Sequence, residues 1–257
     1  MNEILESTLI PFIGTAAGSA CVFFTKGVFS DKIKNTLSAF AAGIMTAASV
    51  WSLIIPALEQ SAELGRLAFL PCIAGIIAGI AALILIDRLI ASIKGKCSGG
   101  LCSEKKQSSM LLLAVIIHNI PEGMAAGAVY AAILTGSADI SAASALALVT
   151  GISIQNFPEG AIISLPLHSK GMSKCRAFLW GILSAVAEAL GALVTLAAAE
   201  LIVPILPFML CFAAGAMLYV VVKELVPEFS CGIYQEVCIV VFSLGFAVMM
   251  SLDTALG

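Results

Sequence analysis

The stretch MLLLAVIIHNIPEGMAAGAVYAAIL, residues 110–134, carries a single carboxylate in a mostly apolar run. At 1.5 Å per residue, a helix of this length can cross the roughly 30 Å hydrocarbon core of a bilayer. The rest of the chain has the same character, because 60% of its 257 residues are hydrophobic and 11% are charged, against about a quarter charged in soluble domains. The sequence therefore predicts a membrane protein whose backbone groups bond within helices.

Seven further apolar runs have a similar length. The eight predicted spans cover residues 8–28, 35–58, 67–91, 110–134, 142–167, 175–199, 203–223 and 236–256. We predict an all-α polytopic membrane protein with eight transmembrane helices, forming one transmembrane domain over residues 1–257 with a cytoplasmic loop at about 92–109. No room remains for a separate soluble domain. The expected surroundings are the lipid bilayer, and no nucleic-acid partner is expected.

The basic residues predict the orientation of the chain. Every Lys and Arg except Arg66 lies in or beside an odd-numbered connection between predicted spans. Such connections face the cytoplasm, so both termini are expected outside. The short loops suit a bacterial inner (plasma) membrane. Residues 1–7 carry two Glu and no basic residue, so no cleavable signal peptide is expected.

Two related strings, HNIPEG at 118–123 and QNFPEG at 155–160, lie in the fourth and fifth spans. At 1.5 Å per residue, Glu122, Glu159 and Glu188 lie about 12–20 Å from the predicted cytoplasmic ends of their helices, near mid-membrane. Ionisable residues inside a membrane span are costly and indicate a functional site. Three carboxylates in one layer need protons or a cation as counter-charge.

Helical geometry gathers the polar residues of each string. The first residue and the Glu are four apart and share a face, and the Asn lies three from the same Glu. The Pro removes a backbone N–H and predicts a kink, while the Gly permits close backbone approach. The polar residues at this depth are His118, Asn119, Glu122, Gln155, Asn156, Glu159 and Glu188. Imidazole and oxygen ligands suit Zn²⁺, Fe²⁺ and Mn²⁺, whereas simple hydrogen bonding between helices is the alternative explanation.

Other functions are weighed against metal transport. An intramembrane metal-dependent protease would need a pair of histidines such as HExxH with an open position at the metal, and this chain has only His118 and His168. A non-transporting membrane scaffold would tolerate Gln in place of Glu122. A proton-coupled carrier of organic solutes would need aromatic or Arg side chains in its cavity, and the polar residues clustered at this depth include no Arg, Phe, Tyr or Trp.

The eight-span layout with its HNIPEG and QNFPEG strings resembles the ZIP (Zrt/Irt-like) metal transporters, most of all their short-chain bacterial branch. The resemblance extends over nearly the whole chain. It implies a 3+2+3 arrangement in which the first and last three helices form an inverted repeat, an elevator-like movement and a homodimer. It implies movement of divalent cations into the cytoplasm, with Zn²⁺ as the first candidate and Cd²⁺, Fe²⁺ and Mn²⁺ as others.

The same resemblance implies a binuclear metal centre between the fourth and fifth helices. One ion would take His118, Glu122, Gln155 and Glu159. The other would take Asn119, Glu122, Asn156, Glu159 and Glu188. Met45 in the second span is a further candidate through its thioether, with ordinary packing as the alternative.

The chain departs from the family pattern at two positions. Gln155 stands where many relatives carry His. In VVKELVPEF, Lys223 stands where a His is common, and its charge would either repel metal at the cytoplasmic exit or reach for the interface.

Several weaker candidates lie outside the two strings. Glu224 and Glu228, at the inner end of the seventh span, are candidates for an exit relay, with a solvated interface as the alternative. Asp253 could attract cations at the outer entrance. Cys97 and Cys102 in the polar loop could bind a soft metal, although two thiols are half a zinc site.

Overall fold

The structure is a computed structural model that describes residues 2–25, 30–96, 104–136, 140–169, 171–230 and 234–256. In these ranges every regular element is helical. The α-helices are α1 Asn2–Phe24, α2 Asp31–Ala48, α3 Ile55–Gln60, α4 Phe69–Lys96, α5 Glu104–Thr135, α6 Ala142–Ser169, α7 Lys174–Ala197, α8 Ala199–Ile202, α9 Leu206–Val220, α10 Val226–Ser230 and α11 Gln235–Leu256. The prediction of an all-α membrane protein is confirmed.

Seven helical stretches in the described part of the chain are long and apolar enough to cross a membrane. They are Leu5–Phe24, Asp31–Gln60, Phe69–Ile90, Ala142–Ser169, Lys174–Ala197, Ala199–Ser230 and Gln235–Ala255. These correspond to seven of the eight predicted spans. The remaining predicted span, residues 110–134, lies within α5, and its crossing stays a prediction.

Glycines let several helices approach closely. A Cβ at Gly14 or Gly18 of α1 would overlap a backbone carbonyl of α6. A Cβ at Gly123 of α5 would overlap the backbone carbonyl of Glu188 on α7, and one at Gly160 of α6 would overlap a carbonyl of α1. Without a hydrophobic driving force in lipid, such close contacts supply much of the association between helices. The predicted role of Gly123 and Gly160 is therefore confirmed.

Two helices contain a widened π-helical turn just before a proline. Ser49–Ile54 joins α2 to α3, and Val221–Leu225 joins α9 to α10. Each π-segment ends two residues before a proline, Pro56 or Pro227. Proline lacks an N–H and its ring crowds the carbonyl four residues earlier, so a wider turn relieves the conflict without ending the helix. By contrast, α5 and α6 continue as α-helices through Pro121 and Pro158.

Candidate functional site

A cavity of about 180 Å³ lies between α2, α5, α6 and the α9–α10 segment. Its lining combines four acidic side chains with two amides and one thioether. The lining residues are Ala41, Met45, Asn119, Glu122, Gln155, Glu159, Ile162, Ile163, Val220, Glu224, Leu225 and Glu228. Five of the eight site residues predicted from the sequence are thus brought to one cavity.

Helical periodicity explains how each wall presents its polar groups. Gln155 and Glu159 are one turn apart on α6, and Ala41 and Met45 are one turn apart on α2. On the third wall the lining positions 220, 224 and 228 repeat every four residues through the π-segment. Because the π-segment continues the helix to Pro227, the carboxylates near the end of the seventh span remain on a helical wall of the cavity.

Beside this lining, α7 presents two polar side chains one turn apart. The Nδ2 of Asn119 donates a hydrogen bond to the Oγ of Ser184 at 2.7 Å, and the Nδ2 of Asn156 donates to the Oε2 of Glu188 at 2.6 Å. All four side chains are buried. The asparagines of the two repeated strings therefore make equivalent contacts with α7, one to a hydroxyl and the other to a carboxylate.

Several buried polar atoms at the site lack a hydrogen-bond partner among the described residues. They are Glu122 Oε2, Gln155 Oε1 and Nε2, Asn156 Oδ1 and Glu188 Oε1. Most buried polar atoms in proteins are hydrogen-bonded, and leaving one unpaired costs about 1–3 kcal/mol. Four of these five atoms are oxygens, which is the type of donor that a divalent cation binds.

The electrostatics of the site also favour a cation. The carboxylate of Glu122 lies close enough to Glu159 and Glu188 to be repelled by both, and Glu188 is repelled by Glu159. Burying a charge costs several kcal/mol unless another charge compensates it. A divalent cation between these groups would relieve the repulsion and satisfy the unpaired oxygens.

Not every predicted ligand can be placed. The backbone of His118 lies on α5 one turn before Glu122, but its side chain lies outside what the structure describes. Cys97 and Cys102 also lie outside the described residues. Among the side chains that are described, no three His, Cys, Asp or Glu residues stand close enough together to hold an ion. The acidic groups therefore surround the cavity without converging on one point.

The structure changes the role expected of Lys223. Its ammonium forms an ion pair with Asp87 on α4 and lies 5.2 Å from the centroid of the Tyr219 ring. It is absent from the cavity lining described above, so it does not stand in the way of an ion there. Its neighbour Glu224 faces the cavity instead.

Two lining residues are closer to the site than their place in the sequence indicates. Glu224 and Glu228 were only weak candidates for an exit relay, because their place at the end of a span also fits a solvated interface. The four-residue spacing of positions 220, 224 and 228 was the available sign of a shared helical face. Only the structure shows that the helix continues through the π-segment to residue 228. Asp253, the candidate for the outer entrance, accepts a hydrogen bond at 2.7 Å from Ser52 in the π-segment that follows α2.

Comparisons with known proteins identify the family to which this chain belongs. The family model described as ZIP Zinc transporter matches residues 101–253. Zinc transporter ZIP11 of Xenopus tropicalis is 36% identical over an alignment that covers 99% of this chain and 97% of that protein. Zinc transporter ZIPB of Bordetella bronchiseptica is 33% identical, covering 96% and 79% of the two chains. Zinc transporter GufA of Myxococcus xanthus is 32% identical over 100% of both. The chain therefore belongs to the ZIP zinc transporter family, and it is a divalent-metal transporter rather than an intramembrane enzyme.

Proposed function

We propose that this protein carries Zn²⁺ across a cell membrane into the cytoplasm, with Cd²⁺, Fe²⁺ and Mn²⁺ as alternative substrates of the same ligands. Zinc comes first because zinc is named in the descriptions of the relatives. A single observation carries the proposal for the site: buried oxygens of Glu122, Gln155, Asn156 and Glu188 lack hydrogen-bond partners among the described residues.

The proposed centre holds two ions. Its ligands are those expected from the family resemblance: His118, Asn119, Glu122, Gln155, Asn156, Glu159 and Glu188. The position of Glu122 and Glu159 on one cavity supports their sharing between two ions. Met45 faces the same cavity, and its thioether would be a weak additional donor.

The donor set suits transport because it binds without trapping the ion. A cation that loses water needs charged oxygens, which the buried carboxylates supply. Amide oxygens bind divalent ions more weakly than carboxylates do, so Gln155 and the two asparagines favour release. From the central carboxylates, Glu224 and Glu228 offer further stations along the same cavity toward the predicted cytoplasmic side.

We propose one transmembrane domain over residues 1–257 with eight spans in a 3+2+3 inverted repeat. The helix packing supports this arrangement. If the repeat exchanges the first three spans with the last three and the fourth with the fifth, then packing of α1 on α6 becomes packing of α7 on α5. Likewise packing of α4 on α9 becomes packing of α11 on α2. All four pairs are among the most extensive contacts between helices in the structure.

An elevator-like movement is consistent with the same contacts. The helices α1, α5, α6 and α7 pack mainly on one another. A second set consists of the pairs α2–α11 and α4–α9, which are joined where the segment Ser49–Ile54 packs on α9. The cavity lies where the groups meet, with α5 and α6 from the first and α2 and the α9–α10 segment from the second. Movement of one group against the other would change which side of the membrane the cavity faces.

The proposed location is the bacterial inner (plasma) membrane, with both termini outside and two copies in a homodimer. The distribution of Lys and Arg supports the orientation. The homodimer follows from the family resemblance.

The decisive experiment is uptake of radioactive zinc into proteoliposomes. Glu122→Gln keeps the size of the side chain but removes its charge, and Glu122→Gln combined with Glu159→Gln removes two charges from the cavity. The matched control is Glu63→Gln, because Glu63 is exposed and lies outside the cavity lining. We expect the control to carry zinc like the wild type and the cavity variants to lose most of the uptake while remaining folded. Undiminished uptake by the double variant would refute the proposed site and favour the scaffold hypothesis for these residues.

A further inference from the structure

One face of α2 leads from the cavity to its rim on the predicted cytoplasmic side. Lys34, Ser38, Ala41 and Met45 follow one another at intervals of four, three and four residues, which is the spacing of a single helical face. Ala41 and Met45 line the cavity. At 1.5 Å per residue, Lys34 lies roughly 16 Å from Met45 along the helix. The face therefore places a lysine and a serine beyond the lining residues.

Both of these side chains bind Glu228, which belongs to the opposite wall. The Nζ of Lys34 forms an ion pair with Oε1 of Glu228, and the Oγ of Ser38 donates a hydrogen bond to Oε2. The Glu228 side chain also lines the cavity. Its two oxygens are thus engaged from α2 at the rim of an acidic cavity whose other acidic residues include Glu224.

The ion pair is open to water. The side chains of Lys34 and Glu228 are 33% and 23% exposed. Ion pairs with this much exposure contribute little to stability, so holding the fold together is a poor explanation for the contact. An ammonium on a flexible stem is instead well suited to reversible pairing with a carboxylate.

We propose that Lys34 is a tethered counter-cation that competes with the transported metal for Glu228. This inference rests on the proposed function of the cavity. Before a metal ion reaches the rim, the ammonium of Lys34 neutralises the carboxylate. An ion that arrives from the central site must displace the ammonium from Glu228. The ammonium then pairs with Glu228 again as the ion is released. Lys34 does not touch the metal; it is a positioning residue that weakens metal binding at the rim and so speeds release.

Two buried side chains deeper in the cavity provide independent support for an ion path that ends here. Glu122 and Gln155 are at least nine-tenths buried, and each has a polar atom without a hydrogen-bond partner among the described residues. Both line the same cavity as Glu228. The cavity therefore combines buried polar atoms that lack hydrogen-bond partners among the described residues with a carboxylate that pairs with a lysine ammonium at the rim.

The test measures zinc uptake into uniformly oriented proteoliposomes while zinc is added on the side that bears Lys34. Lys34→Met should lower the zinc concentration that gives half-maximal uptake by about two- to fivefold. This is the range expected for competition by a partly exposed ion pair. Lys34→Arg keeps the charge and should behave like the wild type. Lys32→Met is the matched control, because its ammonium lies 4.8 Å over the ring of Tyr234 rather than on Glu228.

A double-mutant cycle distinguishes competition from a structural role. In a Glu228→Gln background, Lys34→Met should cause no further change, since the carboxylate for which the two cations compete is absent. An equal shift in both backgrounds, or no shift from Lys34→Met in either, would overturn the inference. Lys34→Gln provides a second neutral variant if Lys34→Met does not fold. A wild-type protein that carried no zinc would instead refute the proposed function, and the inference with it.

Discussion

Alanine at position 156 would leave Glu188 buried with neither carboxylate oxygen hydrogen-bonded to a described residue. In the native structure Asn156 donates to one oxygen at 2.6 Å, while the other has no hydrogen-bond partner among the residues described. A hydrogen bond to a charged group contributes about 1.5–3 kcal/mol. Hydrogen bonds between membrane helices average only about 0.6 kcal/mol. We therefore expect Asn156→Ala to lower the free energy of unfolding by about 1.5–3 kcal/mol at an alkaline pH at which Glu188 is ionised, toward the charged-group value.

The chain offers a closely matched control in Asn119→Ala. Asn119 is also buried, holds the same place in its string and donates to α7, but its acceptor is the neutral hydroxyl of Ser184. Both variants remove the same side chain, so the loss of packing is similar and largely cancels in the comparison. The control should lose about 0.6 kcal/mol and no more than about 1.7 kcal/mol.

Unfolding would be followed in mixed micelles of increasing denaturing detergent, with a chelator present, through the fluorescence of Trp51 and Trp180. Equal losses in the two variants, to within about 0.5 kcal/mol, would refute a charge-assisted bond to Glu188. Adding Glu188→Gln to Asn156→Ala should recover part of the loss, because a neutral amide is cheaper to leave buried than a carboxylate.

Three further predictions test other parts of the structure. Gly123→Ala should cost about 1–3 kcal/mol because its Cβ would overlap the backbone of α7; thermal unfolding should show a lower midpoint, and an unchanged midpoint would contradict the close packing. Asp87→Asn breaks the ion pair of the partly exposed Lys223 and should cost at most about 1 kcal/mol, while zinc uptake persists; loss of uptake would contradict the separation of this pair from the cavity. In single-cysteine variants, exposed Cys175 should react with a water-soluble maleimide in the native protein, whereas buried Cys211 should react only after denaturation; rapid native labelling of Cys211 would contradict the packing of α4 on α9.

The membrane class and most of the helices were predictable because they depend on local properties. An apolar run of about 20 residues predicts a spanning helix whatever surrounds it. Even so, the boundaries shift: the second span was predicted as residues 35–58, whereas the helical stretch is Asp31–Gln60. Polar residues at helix ends carry no hydropathy signal of membrane insertion, so they fall outside the predicted run although they continue the helix.

The seventh span shows why the site could be predicted only in part. Its predicted end, residue 223, falls inside a π-segment, and the helical stretch continues to Ser230. Hydropathy cannot reveal a change from four-residue to five-residue hydrogen bonding. As a result, Glu224 and Glu228 appeared to lie at an interface, although they line the cavity together with Glu122 and Glu159.

The sequence by itself determined that this protein is helical, that it belongs in a membrane, and that two matched strings place a carboxylate and amides on shared helical faces within apolar runs. Those features follow from composition and from spacing along one helix. Only the tertiary structure decided which donors share a cavity, which of them bond to α7, and which cation reaches the rim. Ser38 and Glu228, for example, are separated by 190 residues in the chain. Their contact depends on how distant helices pack, which no local pattern of residues specifies.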